Sequence, residues 1–258
     1  MRLDHVGLAA PDLDRATEAW RAAGFAPGPA SQGGGLASRR VMLARGYVEL
    51  LAVADPALAS ATLPRFLARY AGIHVLTLAV DDAAGALAHL RRAGFAAAIS
   101  ASERPADAGG GTARFLRIPL AEAEPRLQLL QHLTPDLVWQ PALLAHPNHA
   151  VALEAVVMAA DDPAALAARL ARAAGSALVP DPLGGYALAL DAGAVRILPQ
   201  AALGVVFPGL PVPSLPFIAG LVLRTDDACA AVARLGAARP VPGGWLAEAA
   251  GAGLLFIA

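Results

Sequence analysis

Three observations predict an α+β fold made of four copies of one strand, helix, strand, strand unit. An apolar run ending at an aspartate recurs four times, each leads through an alanine- and arginine-rich stretch toward a glycine, and two further strand-like runs close every copy. The aspartates in question, Asp12, Asp82, Asp162 and Asp227, are spaced by 70, 80 and 65 residues. Repetition on that scale marks a supersecondary unit copied along the chain.

The first unit opens with the apolar residues 3–10. The carboxylate of Asp12 is placed to accept from the free N–H groups of the helix that follows. Leu13, Ala16 and Trp20 return at three- and four-residue spacing, which gives that helix one apolar face, and Gly24 stops it. Residues 41–44 and 47–53 supply the closing strands. In the second unit the same roles fall to 73–80, Asp82, a helix carrying Ala83, Leu87 and Leu90, Gly94, and strands at 113–118 and 127–132. The third has 156–160, Asp162, Leu166 and Leu170, Gly175, and strands at 186–190 and 195–198; the fourth has 221–223, Asp227, Gly236, and strands at 245–247 and 254–257. A unit of about 55 to 65 residues with one helix on a small sheet is marginal alone, so units should pair and bury their concave faces together.

Pairing gives two halves. The first is expected over residues 1–133, from units 1–55 and 72–133; a linker with Pro135, Pro141 and Pro147 covers 134–150; the second half covers 151–258, from units 151–200 and 217–258. The uncharged run 197–223 is long enough to span a bilayer, but Pro199, Pro208, Pro211, Pro213 and Pro216 break any helix there, so it reads as a second linker, with 208–216 as a candidate protein contact.

Composition removes several functions. With 20 Lys+Arg against 21 Asp+Glu, a net charge of -1 and no basic run, the chain has no electrostatic footprint for nucleic acid. It contains no lysine at all, which excludes a Walker A loop, a Schiff-base enzyme and a pyridoxal-phosphate site. A lone Cys229 excludes an intramolecular disulfide and a thiolate zinc knuckle and fits a reducing compartment. The start, with Asp4 and His5 inside an apolar run, is unlike a secretion signal. The expectation is a cytoplasmic protein, monomer or homodimer, with a small-molecule ligand and neither nucleic acid nor membrane as partner.

The run Leu3-Asp4-His5-Val6-Gly7-Leu8, the helix after it, and Tyr47-Val48-Glu49-Leu50-Leu51 resemble the first module of the vicinal oxygen chelate superfamily. That superfamily includes glyoxalase I, extradiol dioxygenases, methylmalonyl-CoA epimerase and bleomycin-resistance proteins. The stretch 131–139, with His146-Pro147-Asn148 after it, is similar to members called glyoxalase-like domain proteins. The resemblance implies paired βαβββ modules forming two open, eight-stranded, barrel-like cups with helices outside. It also implies a divalent metal (Zn, Ni, Fe or Mn) held by the first and last strand of each module, and lyase, isomerase or dioxygenase chemistry on a small oxygen-rich substrate. Imidazole, carboxylate and amide donors with open positions suit such an ion.

Carried over by position, the metal ligands are His5, Glu49 and Gln128, and Glu49 is also the catalytic base. The fourth position falls on Val75, so His74 beside it is a ligand only if a bulge or slip turns it into the cup. Arg39, Arg40 and Arg114, near the Gly33–35 and Gly109–111 runs, could pair with a carboxylate or phosphate of a ligand, and Arg39, Arg114 and Trp139 in the linker are the candidate substrate contacts. The equivalent positions of the second half, Ala155, Arg196, Gly220 and Leu254, hold no metal set. A carboxylate such as Glu49 in an apolar strand has to be paired, with a cation, a metal or His5. The alternative reading is a cup without metal that sequesters an apolar small molecule.

Overall fold

The computed structural model describes residues 1–120, 123–234 and 238–258. Its first unit runs β1 (Arg2–Ala9), α1 (Leu13–Ala22), β2 (Ser31–Gly33), β3 (Leu36–Met42) and β4 (Tyr47–Val53), and a short helix α2 (Thr62–Arg69) leads to the second. That unit has β5 (Gly72–Ala79), α3 (Ala83–Arg92), β6 (Ser100–Pro105), β7 (Thr112–Leu120) and β8 (Arg126–His132). After the linker come β9 (Ala150–Ala160), α4 (Pro163–Ala174), β10 (Leu178–Pro180), β11 (Tyr186–Ala189), β12 (Ala194–Pro199) and a helix α5 (Gln200–Val206). The last unit holds β13 (Phe217–Thr225), α6 (Ala228–Arg234), β14 (Arg239–Val241), β15 (Gly244–Ala249) and β16 (Ala252–Ile257).

Four aspartates start the four helices. Asp12 accepts from the backbone N–H of Asp14 and Arg15, Asp82 from Ala84, Asp162 from Ala165 and Asp227 from Ala230, all at 2.9–3.0 Å. Gly24, Gly94 and Gly175 follow three of them with φ of 75, 83 and 59°, the left-handed region that glycine enters without strain. Gly236, assigned the same role, lies outside the described residues.

Every unit has one sheet order, with its first strand parallel to its last: β2-β3-β4-β1, β6-β7-β8-β5, β10-β11-β12-β9 and β14-β15-β16-β13. Units then join through antiparallel first strands, β1 with β5 and β9 with β13. Ile73 pairs with Ile218 between the two eight-stranded halves, and single bridges from Arg2 to Ala192 and from Arg45 to Ala152 join them further; neither half closes on itself. The largest apolar core lies on the outer, helix-bearing faces and runs through both halves, from Val6, Trp20 and Leu76 to Val156, Leu170 and Phe256. Phe25 and Phe256 meet across it at 5.9 Å. No described helix is long and apolar enough to cross a membrane.

The cups differ in what fills them. The second is packed with Val157, Phe217, Ala219 and Leu255, and α5 sends Leu203 and Val206 into it. Leu210, Val212 and Leu215 of the proline-rich stretch pack there too, so the segment expected as a linker and protein contact turns its apolar residues inward. Leu254 faces the outer core and Leu255 the cup, one residue away from the position counted in sequence. In the first cup α2 brings Leu63 and Phe66 against Ala9, Leu51 and Val75. Neither α2 nor α5 was foreseen, because each is under nine residues and lacks a side-chain N-cap. At the other end the linker packs Val138 and Trp139 on Met42, Tyr47, Phe115 and Leu130.

Candidate functional site in the first cup

Alternation along β1, β3, β4, β5 and β8 decides what enters the first cup. Val6, Val48, Leu50, Leu76, Leu127 and Leu129 go to the outer core, and the residues between them face inward. Two irregularities alter the pattern. In β1 the register steps from Leu3 opposite Leu78 to His5 opposite Thr77, so Asp4 is an extra residue. This bulge turns Asp4 to the side of His5, and Asp4 Oδ2 accepts from His5 Nδ1 at 2.7 Å. In β5 the step from Val75 opposite Gly7 to Ile73 opposite Leu8 makes His74 the extra residue.

His5 is 4% exposed and stacked on Tyr47 at 4.2 Å. Its hydrogen bonds have one consistent direction. The amide Nε2 of Gln128 donates to Thr77 Oγ1 at 2.8 Å, which leaves the Thr77 hydroxyl to donate to His5 Nε2 at 3.0 Å. His5 Nδ1–H then donates to Asp4, and His132 Nε2–H donates to Asp4 Oδ1 at 2.9 Å. Burial alone would raise the Asp4 carboxyl, but hydrogen bonds from His132 and His5 outweigh it and hold the group at about 2. Tyr47 goes the other way: burial, then the carboxylates of Asp4 and Glu49, push its hydroxyl up, against Arg40 and Arg104.

Glu49 faces a cation. β3 and β4 place Arg40 directly opposite Glu49, and Arg40 Nη2 lies 3.2 Å from Glu49 Oε1. The Arg40 side chain is 4% exposed and also donates to Asp107 Oδ1 at 2.7 Å and Ser38 Oγ at 3.1 Å. Arg104 reaches the same Asp107 oxygen at 3.1 Å. The Asp107 contacts tie the loop after β6 to the inside of the cup. Burial, then Arg40, lowers the pKa of Arg104, and Asp107 opposes that.

The other expected contacts are placed as follows. His74 is fully buried but lies between Phe66 at 4.6 Å and Tyr70 at 3.9 Å, with Nε2 donating to Tyr70 O at 2.9 Å. The bulge exists, yet it delivers His74 to α2 and not to His5. Arg39 sits on the other face of β3 and donates to Gly28 O, so the guanidinium in the cup belongs to Arg40. Arg114 is 63% exposed beside Glu103. Trp139 meets His132 edge-on at 4.8 Å and Tyr47 at 6.1 Å. Both ring nitrogens of His146 are taken, by Ala26 N–H and Met42 O, and His149 pairs with Asp226, so these histidines serve the linker.

These residues do not fit a divalent ion. His5 Nε2 already accepts from Thr77, Glu49 carries a guanidinium, and the fourth position is Val75, whose Cβ would lie 3.0 Å from one built on Gly7. Among the described residues no three His, Cys, Asp or Glu side chains are grouped to hold a metal. Asp4, Thr77 and Asp107 were missed as site residues, His132 was read as part of the linker, and Arg40 as a ligand contact and not as the partner of Glu49. Counting register back from Glu49 across the 43–46 turn would have found Arg40; the rest depend on bulges and loop packing.

His74 gives a pH prediction. Burial lowers it to about 4 from 6.5, opposed by its bond to Tyr70 O, so the unfolded chain takes up the proton first. Its contribution is full above pH 6.5 and is lost as pH falls toward 4. In urea titrations the wild type should lose about 1–3 kcal/mol more than His74→Phe across that window. Equal losses would show that His74 is not held neutral.

Comparison with known proteins bears on the family and on the fold. A family model described as Glyoxalase-like domain matches residues 3–174, ending with α4. A hypothetical protein from Staphylococcus aureus superposes with a TM-score of 0.69 at 12% identity, covering 99% of this chain and 98% of that one. A mutant of 4-hydroxymandelate synthase from Streptomyces coelicolor gives 0.60 at 14% identity, covering 99% and 91%. Methylmalonyl-CoA epimerase from Streptomyces coelicolor covers 52% of this chain and 95% of its own, with a TM-score of 0.41 at 20% identity. No curated protein matches the sequence.

Proposed function

Because this chain belongs to the Glyoxalase-like domain family of the vicinal oxygen chelate superfamily, we propose that its first cup binds a small molecule without the help of a divalent ion. The observation that carries this is Arg40 on Glu49: a buried guanidinium, fixed by Ser38 and Asp107, stands where the family pattern needs a free carboxylate. A cation there repels a metal ion and keeps the carboxylate in place.

The surface left to a ligand is mixed. The Glu49 side chain is 25% exposed, and Gln128, Leu51 and Val75 are half-buried, so solvent reaches all four. Gln128 spends its amide N–H on Thr77, which leaves its oxygen to accept. A molecule with an apolar body for Leu51 and Val75 and a hydroxyl or amine group for Glu49 and Gln128 meets these needs. Lyase, isomerase or dioxygenase chemistry through a metal would require donors that are already engaged.

Two measurements test the reading. Elemental analysis after incubation with Ni, Mn, Fe or Zn should find far less than one ion per chain; one ion per chain in the wild type, lost in His5→Ala and Glu49→Ala, overturns the proposal. Small amphipathic amines, charged at neutral pH, should raise the melting temperature of the wild type but not of Val75→Trp, which fills the cup. Equal stabilisation of both proteins would place binding elsewhere.

A further inference from the structure

Where the first unit pair meets the turn that carries Ala192 lies a cleft of about 350 Å3. The ends of β1 and β8 give it Leu3, Asp4 and His132, the linker gives Trp139, and the turn before β12 gives Ala192. The walls are fixed to each other, since Leu3 N–H donates to Ala192 O at 2.9 Å. Charges around the cleft are matched in place: Arg2 holds Asp81 at 2.6 Å, Arg45 holds Glu154, and Asp4 accepts from two imidazoles. Nothing there calls for an ionic ligand.

Two polar atoms of this wall lack partners. The His132 side chain is 9% exposed, and with Nε2–H given to Asp4 its Nδ1 keeps a lone pair. That Nδ1 and the Nε1–H of Trp139 are both buried and without a hydrogen-bond partner among the described residues. The two rings meet edge-on at 4.8 Å, so an unfilled acceptor and an unfilled donor sit on neighbouring rings, which is costly and asks for an explanation. A hydroxyl group answers both, donating to His132 Nδ1 and accepting from Trp139 Nε1–H, while an apolar body rests on Leu3 and the indole ring.

The geometry points to a second small-molecule site in this cleft, selective for a neutral, mainly apolar molecule that carries a hydroxyl group. The site is distinct from the cup but connected to it, because the hydrogen bonds from Gln128 through Thr77, His5 and Asp4 to His132 are continuous. Asp4 fixes which nitrogen of His132 is free to accept.

Phenol and toluene, which differ by the hydroxyl, are suitable probes. With 15N-labelled full-length protein, the indole N–H of Trp139, one of three tryptophans, is assigned by its absence in Trp139→Phe. Phenol should shift that signal saturably, toluene should bind at least tenfold more weakly, and His132→Phe should erase the difference. Ala192→Leu fills the cleft from the far side without touching Asp4 or His132, and should abolish the phenol shift at unchanged melting temperature. If His132→Phe does not fold, Ala192→Leu and the toluene comparison decide. An unmoved or unsaturable Trp139 signal, equal responses to phenol and toluene, or a phenol shift that survives in Ala192→Leu each overturns the site.

Discussion

Arg40→Met is expected to destabilise the protein by about 3 kcal/mol or more in urea unfolding at pH 7. Arg40 is the cation for two carboxylates at once: Asp107, 4% exposed, at 2.7 Å and Glu49, 25% exposed, at 3.2 Å. Removing one side of a buried pair leaves charge in low dielectric without compensation, which costs more than the pair itself contributes. Arg104 stays at 3.1 Å from Asp107 and limits the loss. Adding Asp107→Leu to the Arg40 variant should restore part of the stability, because the more deeply buried of the two stranded carboxylates is then gone, while Glu49 stays unpaired and Arg104 loses its partner. The neighbouring Arg39→Met is the control: it loses one bond to Gly28 O, so a change of about 1 kcal/mol is expected. Equal effects at positions 39 and 40 would mean that the buried cluster is not what holds the cup together.

Asp4→Asn should remove stability with a definite pH signature. The Asp4 carboxyl is held at about 2 against its ordinary 3.8, so the unfolded chain binds this proton first as the solution is acidified. Its stabilisation is therefore complete above about pH 5 and disappears as pH falls from 3.8 to 2. Near neutrality the variant should be less stable by about 2 kcal/mol, with the gap closing in that acidic window. The window lies below that of His74, so denaturant titrations at pH 7, 5, 3.5 and 2.5 separate the two groups. A gap that stays constant down to pH 2.5 would show that the two imidazoles do not hold Asp4 ionised. Asn also offers one acceptor where Asp4 serves two donors, so His5 or His132 loses its anchor.

Much of the fold was legible because its signals are local. An Asp before a helix, apolar residues at three- and four-residue spacing and a glycine after the last turn act within a few residues, and they marked four units in the right order. Pairing first with second and third with fourth followed from the surface that a small unit cannot bury alone. The plugging helices α2 and α5 were not legible, since at eight and seven residues they take their stability from the cups they enter.

The candidate site divides in the same way. His5, Glu49, Gln128 and Trp139 could be named from the chain, as could the need for Glu49 to have a partner. That Arg40 stands 3.2 Å from Glu49 depends on β3 lying opposite β4 in one register, a relation fixed by the turn between them. That Asp4 joins His5, while His74 is delivered to Phe66 and Tyr70, depends on one extra residue in each of β1 and β5. A bulge moves side chains across a sheet face, and strict alternation in sequence cannot report it. Local signals in the chain are enough to specify the repeated unit, its helix starts and the residue types near the cup. Which of them meet is settled only in the folded sheet, because contacts between strands about 40 to 130 residues apart are set by register, and register is a property of the paired strands and not of either one.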